Sequence, residues 1–199
     1  MARKAGIKRK TSETDISISL ELDGKGTVSA DTTIPFFDHM LKSMAKHALF
    51  DLKVKAKGDT EIDFHHTVED VGLALGKALA KALGNKGGIT RFGIAEVPMM
   101  DACSKVVLDL SGRPYLVYNV KFKPVAAKMV KEVFDPALVE EFMRALSNSS
   151  GMDLHISLLY GKDIHHSVEA IFKALGRALR EAVSKDKRIK GVMSTKGKL

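Results

Sequence analysis

A short motif of two histidines and a glutamate occurs twice in the chain and constrains its fold more than any other feature. The first copy runs from His65 to Glu69 as His-His-Thr-Val-Glu, and the second runs from His165 to Glu169, 100 residues later, as His-His-Ser-Val-Glu. After each copy, apolar residues recur at helical spacing. Each copy is therefore predicted to open an amphipathic helix, and the chain is predicted to be a duplicated domain.

The spacing within the motif suits the binding of cations. Residues three and four apart share one face of a helix, so either histidine of a copy can act together with its glutamate. Adjacent side chains diverge by about 100° around the helix axis, and the two histidines of one copy are therefore predicted to bind different ions. One copy alone is equally consistent with surface chemistry or a charge effect at a helix N-terminus. The second copy, in register, favours two His-rich sites.

The chain has seven histidines, and all of them fall in or near these sites. His39 joins the first motif and His155 the second, so each half supplies three imidazoles and one carboxylate. The additional histidines are not equivalent, because His39 aligns roughly with Phe142 and His155 with Lys53. Imidazole with carboxylate suits Zn, Mn, Fe, Co or Ni. Taken singly, His39 and His155 would be ordinary helix and strand residues.

Composition excludes several classes of protein. A length of 199 residues allows one large domain or two small ones. The single cysteine, Cys103, favours a reducing cytoplasm. We expect no membrane partner, because no apolar run approaches the roughly 18 residues of a span. The net charge of +8 suits an anionic ligand, and without an RNA-binding aromatic signature we expect no nucleic-acid partner.

The order of predicted elements indicates an α+β fold. Alternating residues and turn signals predict strands, and helical spacing predicts helices, in the order β-β-α-β-α in each half. The predicted strands are 14–22, 27–33 and 51–56 in the first half and 105–110, 115–122 and 153–159 in the second. The predicted helices start at Pro35, Pro136 and the two motifs. Because each layer must bury its apolar face, we predict two mixed sheets with the helices packed between them.

The duplication also predicts the division of the chain. Residues 1–90 form the first half of the duplicated domain and residues 91–184 the second. Residues 185–199 are polar, basic and glycine-containing, which predicts a mobile tail. Its Ser-Thr-Lys-Gly sequence at 194–197 could close over a phosphate group.

Six longer segments occur in an order that points to one family. They are FFDHML (36–41), GDTEIDFHHTVEDVG (58–72), RFG (91–93), DLSGRPYL (109–116), LHI (154–156) and GKDIHHSVEAIFKALGRALREA (161–182). In these segments the chain resembles the imidazoleglycerol-phosphate dehydratases of histidine biosynthesis over almost its whole length. There are two departures: Met100 stands where an acidic residue is usual, and the usual glycines near Thr33 and Pro35 are replaced.

The resemblance implies an activity, a cofactor and an assembly. The activity is a lyase reaction that converts imidazole glycerol phosphate to imidazole acetol phosphate and water. The cofactor is Mn²⁺, two ions per active site, and the assembly is a homo-oligomer of 24 subunits with sites at subunit interfaces. The substrate proton is not acidic on its own, so a metal-bound imidazolate would act as the electron sink and expel the hydroxyl through a diazafulvene-like intermediate.

The resemblance also implies which residues form the site. The implied metal ligands are His39, His65, His66, Glu69, His155, His165, His166 and Glu169. Proton transfer needs a carboxylate within hydrogen-bond reach, and Glu13 and Glu169 are the implied acid and base, in either order. The substrate would contact Glu13 and, largely through its phosphate, His47, Arg91, Arg113, Lys173, Ser194 and Lys196. Without the resemblance, Glu13 and Lys173 would be interpreted as solvated surface charges.

Two other functions remain open at this stage. A different two-metal enzyme, such as a phosphate-ester hydrolase, could use the same ligands to activate water. A metal-assembled scaffold or an RNA-binding protein could have a similar fold, because fold does not determine function. Release of inorganic phosphate would favour the first alternative, and salt-sensitive RNA binding without metal the second.

Overall fold

The structure, a computed structural model, describes residues 2–122 and 134–198. The first half contains β1 (Lys4–Lys10), β2 (Thr14–Glu21), β3 (Val28–Asp31), α1 (Pro35–Ala48), β4 (Asp51–Gly58) and α2 (His65–Leu83). The second half contains β5 (Phe92–Met99), β6 (Ala102–Asp109), β7 (Tyr115–Asn119), α3 (Ala137–Ser150), β8 (Asp153–Tyr160) and α4 (Ile164–Val183).

Both halves build the same four-stranded mixed sheet. The strand orders are β1-β2-β4-β3 and β5-β6-β8-β7. In each sheet the first three strands in this order pair with one another antiparallel, and the last strand is parallel to the strand beside it. The predicted α+β class, with a duplicated half and two mixed sheets, is confirmed.

Each half has one strand more than predicted, so its described order is β-β-β-α-β-α. The additional strands, β1 and β5, form one edge of each sheet. In β1 the side chains of Lys4, Lys8 and Lys10 are exposed on one side of the strand, and on the other side only Ala5 is buried. The basic N-terminus is therefore largely an edge strand, a position where lysine is favoured because it discourages pairing with other chains. Predicted strand 115–122 continues three residues past the end of β7.

The four helices of the described residues lie between the two sheets. Helix α2 packs on β1 and β2, helix α4 packs on β5 and β6, and the layers meet where α2 contacts α3 and α1 contacts α4. Two equivalent glycines lie at these crossings. A Cβ on Gly76 would approach Leu146 O to 2.8 Å, and one on Gly176 would approach Met44 O to 2.2 Å. None of the described helices is long and apolar enough to cross a bilayer.

The outer faces of the two sheets differ in chemistry. On the first sheet, β4 alternates buried apolar residues with the exposed lysines Lys53, Lys55 and Lys57. On the second sheet, exposed hydrophobic side chains stand on the edge strands β5 and β7: Phe92, Ile94, Tyr115 and Val117. The two halves therefore share a topology, but exposed hydrophobic side chains are present on the outer face of the second sheet where β4 of the first sheet carries lysines.

Candidate active site

Side chains from two helices converge at the start of α4. Glu169 Oε2 lies 3.3 Å from His165 Nε2, one turn earlier on the same helix, and 3.5 Å from His39 Nε2 on α1. One ligand atom from each residue lies within 4.8 Å of the other two. Within residues 2–122 and 134–198, this is the one group of at least three His, Cys, Asp or Glu side chains close enough to hold a common ion.

Glu169 is a buried carboxylate that has a cationic partner on its other side. Its Oε1 atom lies 2.8 Å from Lys173 Nζ, one turn further along α4. Burial by itself raises the pKa of Glu169, but the hydrogen bond and charge of Lys173, together with His39, hold this pKa below its usual value. Glu169 is therefore ionised at neutral pH, with one oxygen facing two imidazoles.

His47 lies near the same group. Burial lowers its pKa, and the nearby charges of Lys173 and Arg177 lower it further. The imidazole of His47 is thus neutral at physiological pH, and it can donate or accept a hydrogen bond.

The first motif forms a more open site at the start of α2. His65 Nε2 lies 4.0 Å from Glu69 Oε2, and both side chains are exposed. His66 Nδ1 lies 3.8 Å from Glu13 Oε2 and 3.0 Å from Asp59 Oδ2. The structure thus brings Glu13, His65, His66 and Glu69 to one region. Sequence analysis joined His39 to this motif, but His39 lies against Glu169 of the other motif, and among the described residues no third close ligand replaces it here.

The two copies of the motif hold their rings in the same arrangement. The His65 and His66 ring centroids are 6.0 Å apart and their planes make 84°, and the corresponding values for His165 and His166 are 6.1 Å and 78°. Nearly perpendicular adjacent rings favour the predicted use of different ions by the two histidines of one copy.

Two aspartates that the sequence analysis did not select contact the second histidine of each motif. Asp59 binds His66 Nδ1 at 3.0 Å, and Asp101 binds His166 Nδ1 at 2.5 Å. The hydrogen bond to Asp59 raises the pKa of His66. Asp101 comes directly after Met100, so an acidic side chain is present in this segment despite the substitution at position 100. For Asp101, the sequence signal that could have found it was this acidic residue within the PMMDAC segment at 98–103.

His155 lies apart from both groups. It is exposed on β8 between the buried residues Leu154 and Ile156, which places it on the outer face of the second sheet. Its Nε2 atom lies 3.1 Å from Asp153 Oδ1. Its role as a metal ligand stays a prediction.

Helices α1 and α3 both have 14 residues, and aligning their ends places His39 opposite Glu141, one residue from the rough alignment with Phe142.

Four of the six residues predicted to contact the phosphate gather in a separate cavity of about 1110 Å³, whereas His47 and Lys173 lie near Glu169 instead. Arg91, Arg113, Ser194 and Lys196 all line it, together with other basic residues of the tail. Arg91 makes a two-pronged ion pair with Asp109, at 2.6 and 2.7 Å, and donates to Met193 O at 2.6 Å. The tail is thus held against the start of β5, and its predicted mobility is not tested.

This cavity and the His39 group lie towards opposite ends of α4. The Arg91 backbone N–H donates to Ala182 O at 2.9 Å, near the end of the helix, whereas Glu169 lies near its start. The 13 residues from Glu169 to Ala182 rise by about 20 Å along the axis. A single chain therefore holds the two parts of the predicted site well apart.

The fold matches that of solved enzymes. The structure is similar to that of IGPD from Pyrococcus furiosus, with a TM-score of 0.82 and 36% identity, covering 97% of this chain and 100% of that one. It is also similar to imidazoleglycerol-phosphate dehydratase from Staphylococcus aureus, with a TM-score of 0.79 and 33% identity, covering 92% and 99%. The class is therefore a dehydratase, an enzyme of the lyase type.

Sequence comparison specifies the family. The profile of the imidazoleglycerol-phosphate dehydratase family matches residues 32–179. Imidazoleglycerol-phosphate dehydratases from Citrifermentans bemidjiense and Acetivibrio thermocellus are 56% and 55% identical to this chain, over the full length of both partners. The chain belongs to the imidazoleglycerol-phosphate dehydratase family.

Proposed function

We propose that the chain converts imidazole glycerol phosphate to imidazole acetol phosphate and water in histidine biosynthesis, and that the reaction depends on divalent metal ions. The observation that carries the proposal is the convergence of His39, His165 and ionised Glu169 on one point. Family membership supplies the substrate. A cytoplasmic location is part of the proposal and rests on the single, buried and free Cys103.

The residues present fit a divalent ion. Two imidazole nitrogens and a carboxylate oxygen form a donor set that first-row metals accept, Mn²⁺ among them. We assign one ion to the His39, His165 and Glu169 group and a second to the other motif, with two Mn²⁺ ions per active site. When bound, these ions supply Lewis acidity that draws electrons away from the substrate's imidazole ring.

The carboxylates of the chain are placed to move protons. Glu13 lies beside His66 with its side chain half exposed, and it is therefore accessible to substrate. Glu169 lies at the other motif, where Lys173 maintains its charge. We assign the acid and base roles to this pair, because each lies next to a predicted ligand histidine. Arg91, Arg113, Ser194 and Lys196 bind the phosphate group through charge-assisted hydrogen bonds.

The distance along α4 supports an active site built between subunits. The substrate is no longer than about 10 Å from ring to phosphate by standard bond lengths, which is less than the about 20 Å that separate Glu169 from Ala182. The phosphate cavity of one chain therefore serves the metal group of another. We propose a homo-oligomer of 24 subunits. Phe92, Ile94 and Tyr115 are exposed hydrophobic side chains on the outer face of the second sheet, and such a group favours burial in an assembly of this kind.

The test is a dehydratase assay joined to metal analysis. Purified protein loaded with Mn²⁺ is expected to bind two ions per chain and to form an enolisable ketone from imidazole glycerol phosphate. Chelation should abolish turnover, and Mn²⁺ should restore it. Release of inorganic phosphate, or fewer than one ion for every two chains, would contradict the proposal.

A further inference from the structure

We propose that Asp59 and Asp101 are positioning residues, each of which orients the second histidine of one motif so that its Nε2 atom faces a cation. The same arrangement leaves Glu13 free to exchange protons with the substrate. This inference rests on the proposed metal-dependent function and adds to it the contacts that orient the ligand histidines before metal binds.

In the second half, Asp101 is fixed from two sides. Its Oδ1 atom accepts from His166 Nδ1 at 2.5 Å, and its Oδ2 atom accepts from the backbone N–H groups of Lys162 and Asp163 at 2.8 and 2.9 Å. These two N–H groups belong to the loop that leads into α4. Asp101 thus joins the β5–β6 hairpin to the start of the motif helix and fixes the His166 ring between them.

In the first half, Asp59 plays the same part from a different place. Its Oδ2 atom binds His66 Nδ1 at 3.0 Å, and its backbone N–H donates to Glu13 O at 3.1 Å. Its Oδ1 atom is buried, and within residues 2–122 and 134–198 it has no hydrogen-bond partner. A buried carboxylate oxygen without a partner is costly, and its presence calls for an explanation. The contact of the other carboxylate oxygen with His66 supplies one.

A carboxylate on Nδ1 determines what the other ring nitrogen can do. An acceptor at Nδ1 stabilises the tautomer with a proton there, which leaves the lone pair on Nε2. Within the described residues, neither His66 nor His166 has a recorded protein partner at Nε2. Both second histidines are therefore oriented to present Nε2 as a ligand.

The two aspartates are not related by the duplication. Asp101 directly precedes β6, and the residue that directly precedes the matching strand β2 is Glu13. Glu13 Oε2 stays 3.8 Å from His66 Nδ1, because Asp59 already occupies that nitrogen. Asp59 follows Gly58, which packs against the first motif helix, and Lys162 follows the equivalent Gly161 in the second half. Because Lys162 is not acidic, Asp101 makes the contact with the histidine there. The acidic residue before the second strand of each sheet is thus bound to histidine in the second half, as Asp101, and available to substrate in the first half, as Glu13.

The experiment measures Mn²⁺ binding to the full-length oligomer without substrate. The metal-stripped protein is titrated with Mn²⁺ by equilibrium dialysis, with electron paramagnetic resonance of the bound ion as a second readout. Asp101→Asn keeps an oxygen for the Lys162 and Asp163 N–H groups but offers an NH₂ group to His166, which favours the tautomer that cannot bind metal through Nε2. Asp59→Asn tests the first half independently, and Asp31→Asn, on an exposed edge strand, is the matched control.

We expect Asp101→Asn and Asp59→Asn each to weaken the binding of one Mn²⁺ ion by about 10- to 100-fold, as loss of such partners does in other metal sites. Asp31→Asn and Glu13→Gln should bind Mn²⁺ like the original chain, while Glu13→Gln loses turnover. Unchanged Mn²⁺ affinity in either folded aspartate variant overturns the inference for that half. If the original chain binds Mn²⁺ but does not dehydrate the substrate, the proposed function fails, and the dialysis result still decides the positioning roles.

Discussion

At the scale of single residues, Glu169 carries the largest share of the site. It contacts His39, His165 and Lys173, so its replacement changes both the local charge and the ligand set. We expect Glu169→Gln to lower kcat by about 10²- to 10⁴-fold, the usual contribution of an acid–base group. Substrate should still bind, because its phosphate contacts lie elsewhere. Steady-state kinetics and substrate binding would check this.

The control for this change is Glu140→Gln. Glu140 is an exposed carboxylate on α3 that pairs with Arg144, and its loss should leave kcat unchanged. Retained turnover in Glu169→Gln would remove Glu169 from the acid–base pair.

A second residue-scale prediction concerns Asp23, the ion-pair partner of Arg3, which in turn joins the N-terminus to the end of α4. Arg3 bonds Asp23 Oδ2 at 3.0 Å and Val183 O at 2.5 Å. The hydrogen bond from Arg3 lowers the pKa of Asp23, so the carboxylate stabilises the fold above its unfolded pKa of 3.8 and this contribution is lost as pH falls through its folded value. Because Asp23 is half exposed, Asp23→Asn should destabilise by at most about 1 kcal/mol at pH 7.

Urea unfolding of metal-free protein would measure this effect. The difference between the two chains should shrink below about pH 4 and disappear on further acidification, as Asp23 takes up a proton. Asp15→Asn, whose pair with Lys10 is exposed on both sides, should have no measurable effect at either pH. A difference that does not shrink as the pH falls would exclude the ion pair as its cause.

Several of the candidate ligands that lie close together in the structure stand out in the sequence, because their chemistry is repeated locally, and their roles stay predictions. His65, Glu69, His165 and Glu169 stand at helical spacing, which a linear pattern reveals. Asp59 and Asp101 were missed, since Asp101 meets His166 across 65 residues of chain and only the fold brings them together. A single acidic residue in a turn carries no periodic signal, so such partners become visible only in three dimensions.

At the scale of elements, the close crossings of the helices depend on glycine. A Cβ at position 176 would lie 2.2 Å from Met44 O, which is backbone and cannot move aside cheaply. Helix propensity alone would favour Gly176→Ala by about 1 kcal/mol. We nevertheless expect a destabilisation of about 1–3 kcal/mol, since the separation of α1 and α4 must increase.

Thermal unfolding would show this as a lower Tm for Gly176→Ala. Gly6→Ala is the matched control, because its Cβ would meet only Ile18 O at an ordinary 3.8 Å. A Tm equal to or above that of the original chain would mean that the crossing has slack.

The additional strands explain where element prediction from sequence failed. Strand β1 has four basic residues out of seven and buries only Ala5, so its sequence is indistinguishable from a solvated terminus. Its β structure comes from pairing with β2 along its whole length, a contact that composition does not encode. The strands and helices that bury larger apolar side chains were predicted close to their described bounds, because burial imposes the periodicity. Strand β5 was missed, and its buried positions are Gly93, Ala95 and Val97.

At the scale of the whole molecule, the exposed hydrophobic side chains on the outer face of the second sheet lead to a prediction about assembly. Ile94 is 54% exposed on this face. A lysine there would have to be desolvated at a subunit interface, so Ile94→Lys should yield smaller oligomers by analytical ultracentrifugation. Lys55→Ala, on the charged face of the first sheet, should leave the oligomer size unchanged. Full-sized particles from Ile94→Lys would place the interface elsewhere.

The separation of the two ends of α4 has a genetic consequence. If catalysis joins Glu169 of one subunit to Arg91 of another, a chain with Glu169→Gln and a chain with Arg91→Ala are each inactive for different reasons. Co-expressed in one cell, they would form mixed particles in which about a quarter of the sites draw both intact residues from neighbours, as random pairing in a closed homo-oligomer predicts. Two alleles that each cause histidine auxotrophy would then complement one another, and failure to do so would show that every chain works alone.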